Sequence, residues 1–296
     1  MKTKQRKFRP GMILIYLILL MICLLCIIPI FTVISISFST DQTLIREGYG
    51  ILPRDFTTAA YEFIFRNPAS ILRSYGVSIM NTGIGCVVGL SFDAMVAYVM
   101  SRKNFRFKKQ LTIFFLIPML LSGGMVSQYI LISRYLQLKD TVLAMILPLL
   151  VTPWYVMLLK TFFSEVPFEL CESATIDGAG EFRTFFSIVL PLAKPALATI
   201  AVFIMLQYWN DWYYPLMYIE NRELYNLQFR LYAMMKDLQE LVRDAAMSGL
   251  SVNISKLPTE SMRMAMCVIA AGPMLLVFPF FQKYFVRGLT VGSVKG

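Results

Sequence analysis

Three groups of residues in this 296-residue chain have types and spacings that chemistry could use. The first is acidic and glycine-rich: Glu172-Ser173-Ala174, then Asp177-Gly178-Ala179-Gly180, then Ile188-Val189-Leu190-Pro191. The second is Gln207-Tyr208-Trp209-Asn210-Asp211-Trp212-Tyr213-Tyr214. Its aromatic faces suit the C–H surfaces of sugars, and its amides and carboxylate suit their hydroxyls. The same aromatics also suit the headgroup level of a bilayer, where Trp and Tyr gather. By depth, Tyr213 and Tyr214 fit that belt. The third is Asp93, a lone carboxylate inside the apolar run Gly89-Leu-Ser-Phe-Asp-Ala-Met95. A charge there is costly, and it either lines a wet path or pairs with a Ser, Thr or Arg of a neighbouring helix.

Other chemistry is excluded by what is missing. Histidine is absent, which removes Ser-His-Asp and Cys-His nucleophiles and HExxH zinc sites. No Gly-Lys dipeptide occurs, so there is no Walker A phosphate loop. Cys23 and Cys26 form a CxxC, but it sits mid-run among apolar residues, where cysteine acts as a small hydrophobe. No catalytic residue and no metal ligand set is expected.

The surrounding elements explain where these groups must sit. The chain is 57% hydrophobic and 16% charged, against about 45–50% and roughly 25% in soluble domains. Disorder is excluded by the hydrophobicity, and a soluble enzyme by the length of the apolar runs. Those runs lie near 11–35, 76–100, 111–133, 141–159, 196–219 and 264–282. About 20 residues of helix cross a bilayer, and only helices or closed barrels satisfy their backbone in lipid. The expectation is an all-α polytopic protein, one domain over 1–296, with six transmembrane helices. The basic start Lys2–Arg9 and the first run resemble a signal peptide but are too long for one, so they read as a retained span.

Alternate connections differ in charge. The N-terminus, 101–110, 160–195 and the C-terminal tail carry sixteen Lys and Arg; 36–75, 134–140 and 220–263 carry twelve and more acids. Both termini are therefore expected in the cytoplasm. The formal charge of +10 then reports topology and contact with anionic lipid, not nucleic acid.

The loop 165–195 falls on the cytoplasmic side. Pro167 suits a helix start, and Glu169 and Glu172 suit its first turns. Asp177–Gly180 breaks the helix, and Gly178 and Gly180 can take positive φ. Phe182, Phe185, Phe186 and Val189 then recur at helical spacing before Pro191 turns the chain. Two short helices joined by a sharp turn suit a groove on a partner, or equally a resting place in the headgroup layer.

This loop resembles the signature of ATP-binding-cassette (ABC) importer permeases: Glu-Ala-Ala, three residues, Gly, nine residues, Ile-x-Leu-Pro. Glu172, Ala174, Gly178, Ile188, Leu190 and Pro191 fit every spacing, with Ser173 in place of Ala. The resemblance covers nearly the whole chain. The Trp209-Asn210-Asp211 segment is similar to that of carbohydrate-type, maltose-system-like permeases. Ala97-Tyr98 with Ser101-Arg102, Leu121–Met125 with Tyr129, and the ending Gly288–Gly296 look closer to complex-oligosaccharide permeases of Gram-positive bacteria.

The resemblance implies a type I importer fold in the cell membrane. Residues 168–188 would be the coupling helix, with Glu172, Ser173, Ala174, Asp177, Gly178, Ala179, Phe182, Leu190 and Pro191 facing or shaping the ATPase contact. It implies a second homologous permease, two ATPase subunits that hold ATP and Mg, an extracellular solute-binding lipoprotein and an oligosaccharide substrate. This chain itself would bind no cofactor. Gln207, Trp209, Asn210, Asp211 and Asp93 are the candidate substrate-path residues. The external loop 220–263, with an amphipathic stretch at Leu227–Asp244, either lies on the membrane or meets the binding protein. A permease for a peptide or polyamine, and a self-sufficient carrier, are the competing readings.

Overall fold

The computed structural model describes residues 10–247 and 259–292. Lys2–Arg9, the end of the tail and residues 248–258 of the expected external loop lie outside them.

The chain is a succession of helices, and the described residues hold no strand, only the single bridge Ser39–Phe56. Helix α1 (Pro10–Ser37) is apolar around its whole circumference, with Leu14, Ile18, Met21, Leu25, Ile28 and Phe31 all exposed. Such a surface is stable against lipid, not water. Two short helices follow, α2 (Asp41–Glu47) and α3 (Ala59–Ile64). Helix α4 (Pro68–Ser101) has 34 residues, about 50 Å of rise, more than a hydrocarbon layer of ~30 Å.

Three further apolar stretches are bent. Helix α5 (Lys108–Leu120) and helix α6 (Gly124–Ile130), with its wide π turn Leu131–Tyr135, meet at 114°. Gly124 makes that corner at φ +78°, which a Cβ would oppose. The Ser122-Gly123-Gly124 stretch is therefore a kink. Helix α7 (Val142–Leu150) and helix α8 (Pro153–Ser164) meet at 46°, with Pro153 at the start of α8, where its missing N–H costs nothing.

Helix α9 (Phe168–Ile176) and helix α10 (Glu181–Thr184) flank the Asp177–Gly180 break. A π segment Phe185–Val189 leads to the short turn α11 (Leu190–Leu192). The chain then bends by 83° into α12 (Lys194–Trp209). After α13 (Tyr213–Tyr218) and a 3₁₀ turn at Arg222–Leu224 come α14 (Leu227–Met247) and α15 (Glu260–Gly292). Among the described residues, three helices are by length and composition long enough to cross a membrane, or up to six if each bent pair counts as one.

These helices form two compact units, 1–68 with 234–272, and 69–233 with 273–296. In the first, the buried Asp41 carries the packing. Its carboxylate accepts from the Thr259, Glu260 and Ser261 amides at 2.5, 2.9 and 3.0 Å, and from the Thr259 hydroxyl. It thereby caps the first turn of α15 from more than two hundred residues away, where a helix has orphan N–H groups. Ser37 bonds the Tyr61 hydroxyl at 2.9 Å, and Phe38 stacks between Phe56 and Tyr61.

The second unit has the larger core. Ala97, Met100, Val156, Leu159, Phe163, Phe185, Ile200 and Tyr208 are fully or nearly fully buried in one cluster. Small residues let the helices close. A Cβ on Gly85 would stand 2.3 Å from the Tyr208 ring, and one on Gly89 would stand 2.8 Å from the Leu150 carbonyl. Tyr208 in turn donates to the Ile146 carbonyl at 2.8 Å. Gly83, between them and the start of α4, meets nothing within 4 Å, so close approach on this helix rests on Gly85 and Gly89.

Candidate functional site

The helix–turn–helix at 168–189 is built around Gly178. It sits at φ +82°, the Ala179 amide reaches the Ala174 carbonyl at 2.8 Å, and its own amide reaches Thr175 at 3.1 Å. This is a Schellman closure, which needs a residue without a Cβ at that corner. Ala174 and Cys171 turn inward, while Glu172, Ser173, Asp177 and Gly178 are exposed, and Ser173 donates to the Glu169 carbonyl. The element therefore presents two acids and an open turn on one protruding surface.

The second short helix differs from its sequence periodicity. Phe185 and Val189 are buried, but Phe182 and Phe186 are 77% and 58% exposed. The π segment widens the turn, so the four apolar positions do not share one face. Leu190 is half-buried and Pro191 exposed in α11; the 83° bend falls after them, at Ala193.

The end of α4 grips this element. Glu181 accepts from the Tyr98 hydroxyl and from Arg102 at 3.1 Å, and Lys103 stands 5.0 Å over the Phe168 ring. Burial works to raise the Glu181 carboxyl, and the two hydrogen bonds with the Arg102 charge outweigh it and hold it below its ordinary value. A cleft of about 580 Å³ opens beside these groups, lined also by Phe105, Glu172 and Thr175. In the sequence Tyr98 and Arg102 stand out only within a family-like motif and Glu181 not at all, because a contact between residues about eighty positions apart leaves no local pattern.

The other candidate residues cluster at the far end of α12. Trp209 is buried, with its ring beside Tyr75 at 6.4 Å, whereas Asn210 is exposed. Asp211 Oδ1 caps α13 through the Tyr213 and Tyr214 amides at 3.0 and 3.1 Å. Asn226 binds the Asp211 carbonyl at 2.5 Å and caps α14. Trp212, 44% exposed, stacks on Tyr232 of α14 at 5.2 Å, and Tyr232 neighbours Phe229. Tyr232 completes an aromatic face that the linear segment could not disclose.

Asp93 lies in the last third of α4, buried, with neither carboxylate oxygen in a hydrogen bond. Neither a Ser, Thr or Arg side chain nor any residue of the α12 end is bonded to it. Gln207 Oε1, Asn81 Oδ1 and Thr82 Oγ1 are likewise buried without partners. Buried polar atoms of this kind normally find protein or water partners. Among the described residues no three His, Cys, Asp or Glu side chains could hold a metal ion.

Long apolar helices and a protruding acidic helix–turn–helix define a polytopic membrane component. Residues 5–291 match the family of binding-protein-dependent transport system inner membrane components, and the chain belongs to that family. It is 38% identical over 270 residues to the protein LplC of Bacillus subtilis (strain 168), covering 90% of this chain and 89% of that one. It is 35% identical over 290 residues to the polygalacturonan/rhamnogalacturonan transport system permease protein YtcP of the same organism, covering 96% and 98%. A chain from the crystal structure of a bacterial ABC transporter involved in the import of the acidic polysaccharide alginate matches with a TM-score of 0.77 at 25% identity. That match covers 96% of this chain and 100% of the other, and the fold is that of a type I ABC importer permease.

Proposed function

We propose that this chain is the membrane subunit of an ATP-driven importer that moves oligosaccharides from an external binding protein into the cytoplasm. The observation that carries it is the exposed helix–turn–helix with Glu172, Ser173 and Asp177 outward and Gly178 closing the corner. Such a rigid, acid-bearing knob suits a groove on a partner. We assign 168–188 to the ATPase contact, with Ala179, Phe182, Leu190 and Pro191 shaping it. A second permease, two ATPase subunits holding ATP and Mg, and a solute-binding lipoprotein complete the assembly. The single permease domain crosses the membrane six times with both termini in the cytoplasm, and the loop 220–263 lies outside.

The sugar assignment draws on relatives named for polygalacturonan, rhamnogalacturonan and alginate. It also draws on the exposed Asn210 and Trp212 beside Asp211. Gln207 and Asp93 are assigned to the wet path, and Trp209 backs it from its buried position. The chain carries out no bond chemistry; its work is alternating access driven by its partners.

Uptake into proteoliposomes tests this, using the assembled transporter with its binding protein and a mixed panel of arabino-, malto- and galacturono-oligosaccharides. Accumulation that needs both ATP and the binding protein is the expected result. Peptide or polyamine uptake with no sugar uptake would overturn the substrate assignment, and ATP-independent flux would overturn the class of mechanism.

A further inference from the structure

The coupling loop is joined to α12 through α11, and that covalent route turns by 83°. A bend of this size is a poor strut for force applied at the loop. A second attachment bypasses it. Tyr98 in the last turn of α4 and Arg102 just beyond it donate to the two oxygens of one carboxylate, that of Glu181. The Arg102 guanidinium also lies 5.4 Å from the Tyr98 ring centroid, and that ring packs on Phe185 at 4.9 Å. Lys103 holds the other short helix, standing over Phe168. Each short helix of the loop is thus gripped at its first residue by the tail of α4.

We infer that Tyr98, Arg102 and Glu181 form a clamp that delivers movement of the coupling loop directly to α4, in parallel with the path through α12. They are positioning residues, and this role rests on the reading of 168–188 as the ATPase contact. A carboxylate with both oxygens in charge-assisted hydrogen bonds fixes orientation as well as distance. The Arg102 side chain is 20% exposed and that of Glu181 is 65% exposed. The partly buried arginine is therefore the fixed jaw and the acid the part that travels with the loop.

The test uses the complete transporter with its binding protein in proteoliposomes, and the same mixed oligosaccharide panel as probe. The reading is uptake per ATP hydrolysed. Glu181→Gln keeps the size of a surface side chain and removes its charge. ATPase recovery is measured alongside, so that the ratio is read on assembled transporter, and the melting temperature should move little. Uptake per ATP should fall roughly fivefold, a charge-assisted bond discounted for exposure. Arg102→Glu combined with Glu181→Arg should restore most of the ratio, a rescue that a packing role would not give. A wild-type ratio in Glu181→Gln would overturn the clamp. So would loss of the ATPase from that variant, which would make Glu181 a docking contact. Wild-type protein that retains no ATPase at all would overturn the coupling-loop reading itself, and with it the clamp.

Discussion

Asp41 supplies one carboxylate to three backbone amides and a hydroxyl at the start of α15. Asp41→Ala leaves those donors, the buried Ser261 amide among them, without an acceptor, and thermal unfolding in detergent should show a loss of about 2 kcal/mol. Asn is a fair control, because it keeps one acceptor oxygen and should lose less. Glu181 sets a second expectation at this scale. Its folded carboxyl is held below its ordinary value by Tyr98 and Arg102, against burial. The sign follows from linkage: the contribution is present above the ordinary carboxylate range and is lost as pH falls through the lowered folded value. Unfolding scans from neutral to acid pH should therefore steepen at the acid end, and Glu181→Gln should flatten that part of the curve. An unchanged curve in the variant would remove the ion pair from the account.

Helix contacts in the larger unit depend on two glycines. Gly85→Ala would drive a Cβ into the Tyr208 ring, whose hydroxyl is tied to Ile146. A stability loss of about 2 kcal/mol is expected, while Gly83→Ala, facing open space, should be close to neutral. Equal melting temperatures for the two variants would contradict the packing. The aromatic face formed by Trp212 and Tyr232 carries a functional expectation. Trp212→Ala should lower oligosaccharide uptake roughly fivefold with unchanged ATPase retention, the worth of one aromatic contact. Unaltered uptake would return Trp212 to the membrane belt.

At this same scale the limits of sequence reading are physical. Helix, break and Gly178 turn were legible at 165–195, because caps and glycines are local. The shared face of Phe182, Phe185, Phe186 and Val189 was not, because a π turn changes the period inside the run. The 114° corner was legible only as small residues, since Ser122-Gly123-Gly124 allows a kink without requiring one. Asp41 and Glu181 leave no local sign because their partners lie far away in sequence, and Tyr232 leaves none because its partner Trp212 sits on the other side of the α13 turn.

Among the described residues, an all-apolar α1, a 34-residue α4 and three bent helix pairs supply the candidate membrane spans, by length and composition. Two polar features stand beside those spans: the exposed acidic helix–turn–helix at 168–189, proposed as the coupling element, and the aromatic cluster after α12. The central claim is that the first of these engages an ATPase. The direct measurement is co-purification of the tagged protein from mild detergent, comparing wild type with Gly178→Trp. Gly178 sits at positive φ with open space around it, so the variant disturbs the exposed turn and not the core. The account expects wild type to bring down an ATPase and a second permease, and Gly178→Trp to lose the ATPase while keeping the permease. Wild-type protein recovered alone, or an ATPase held equally by both, would contradict it.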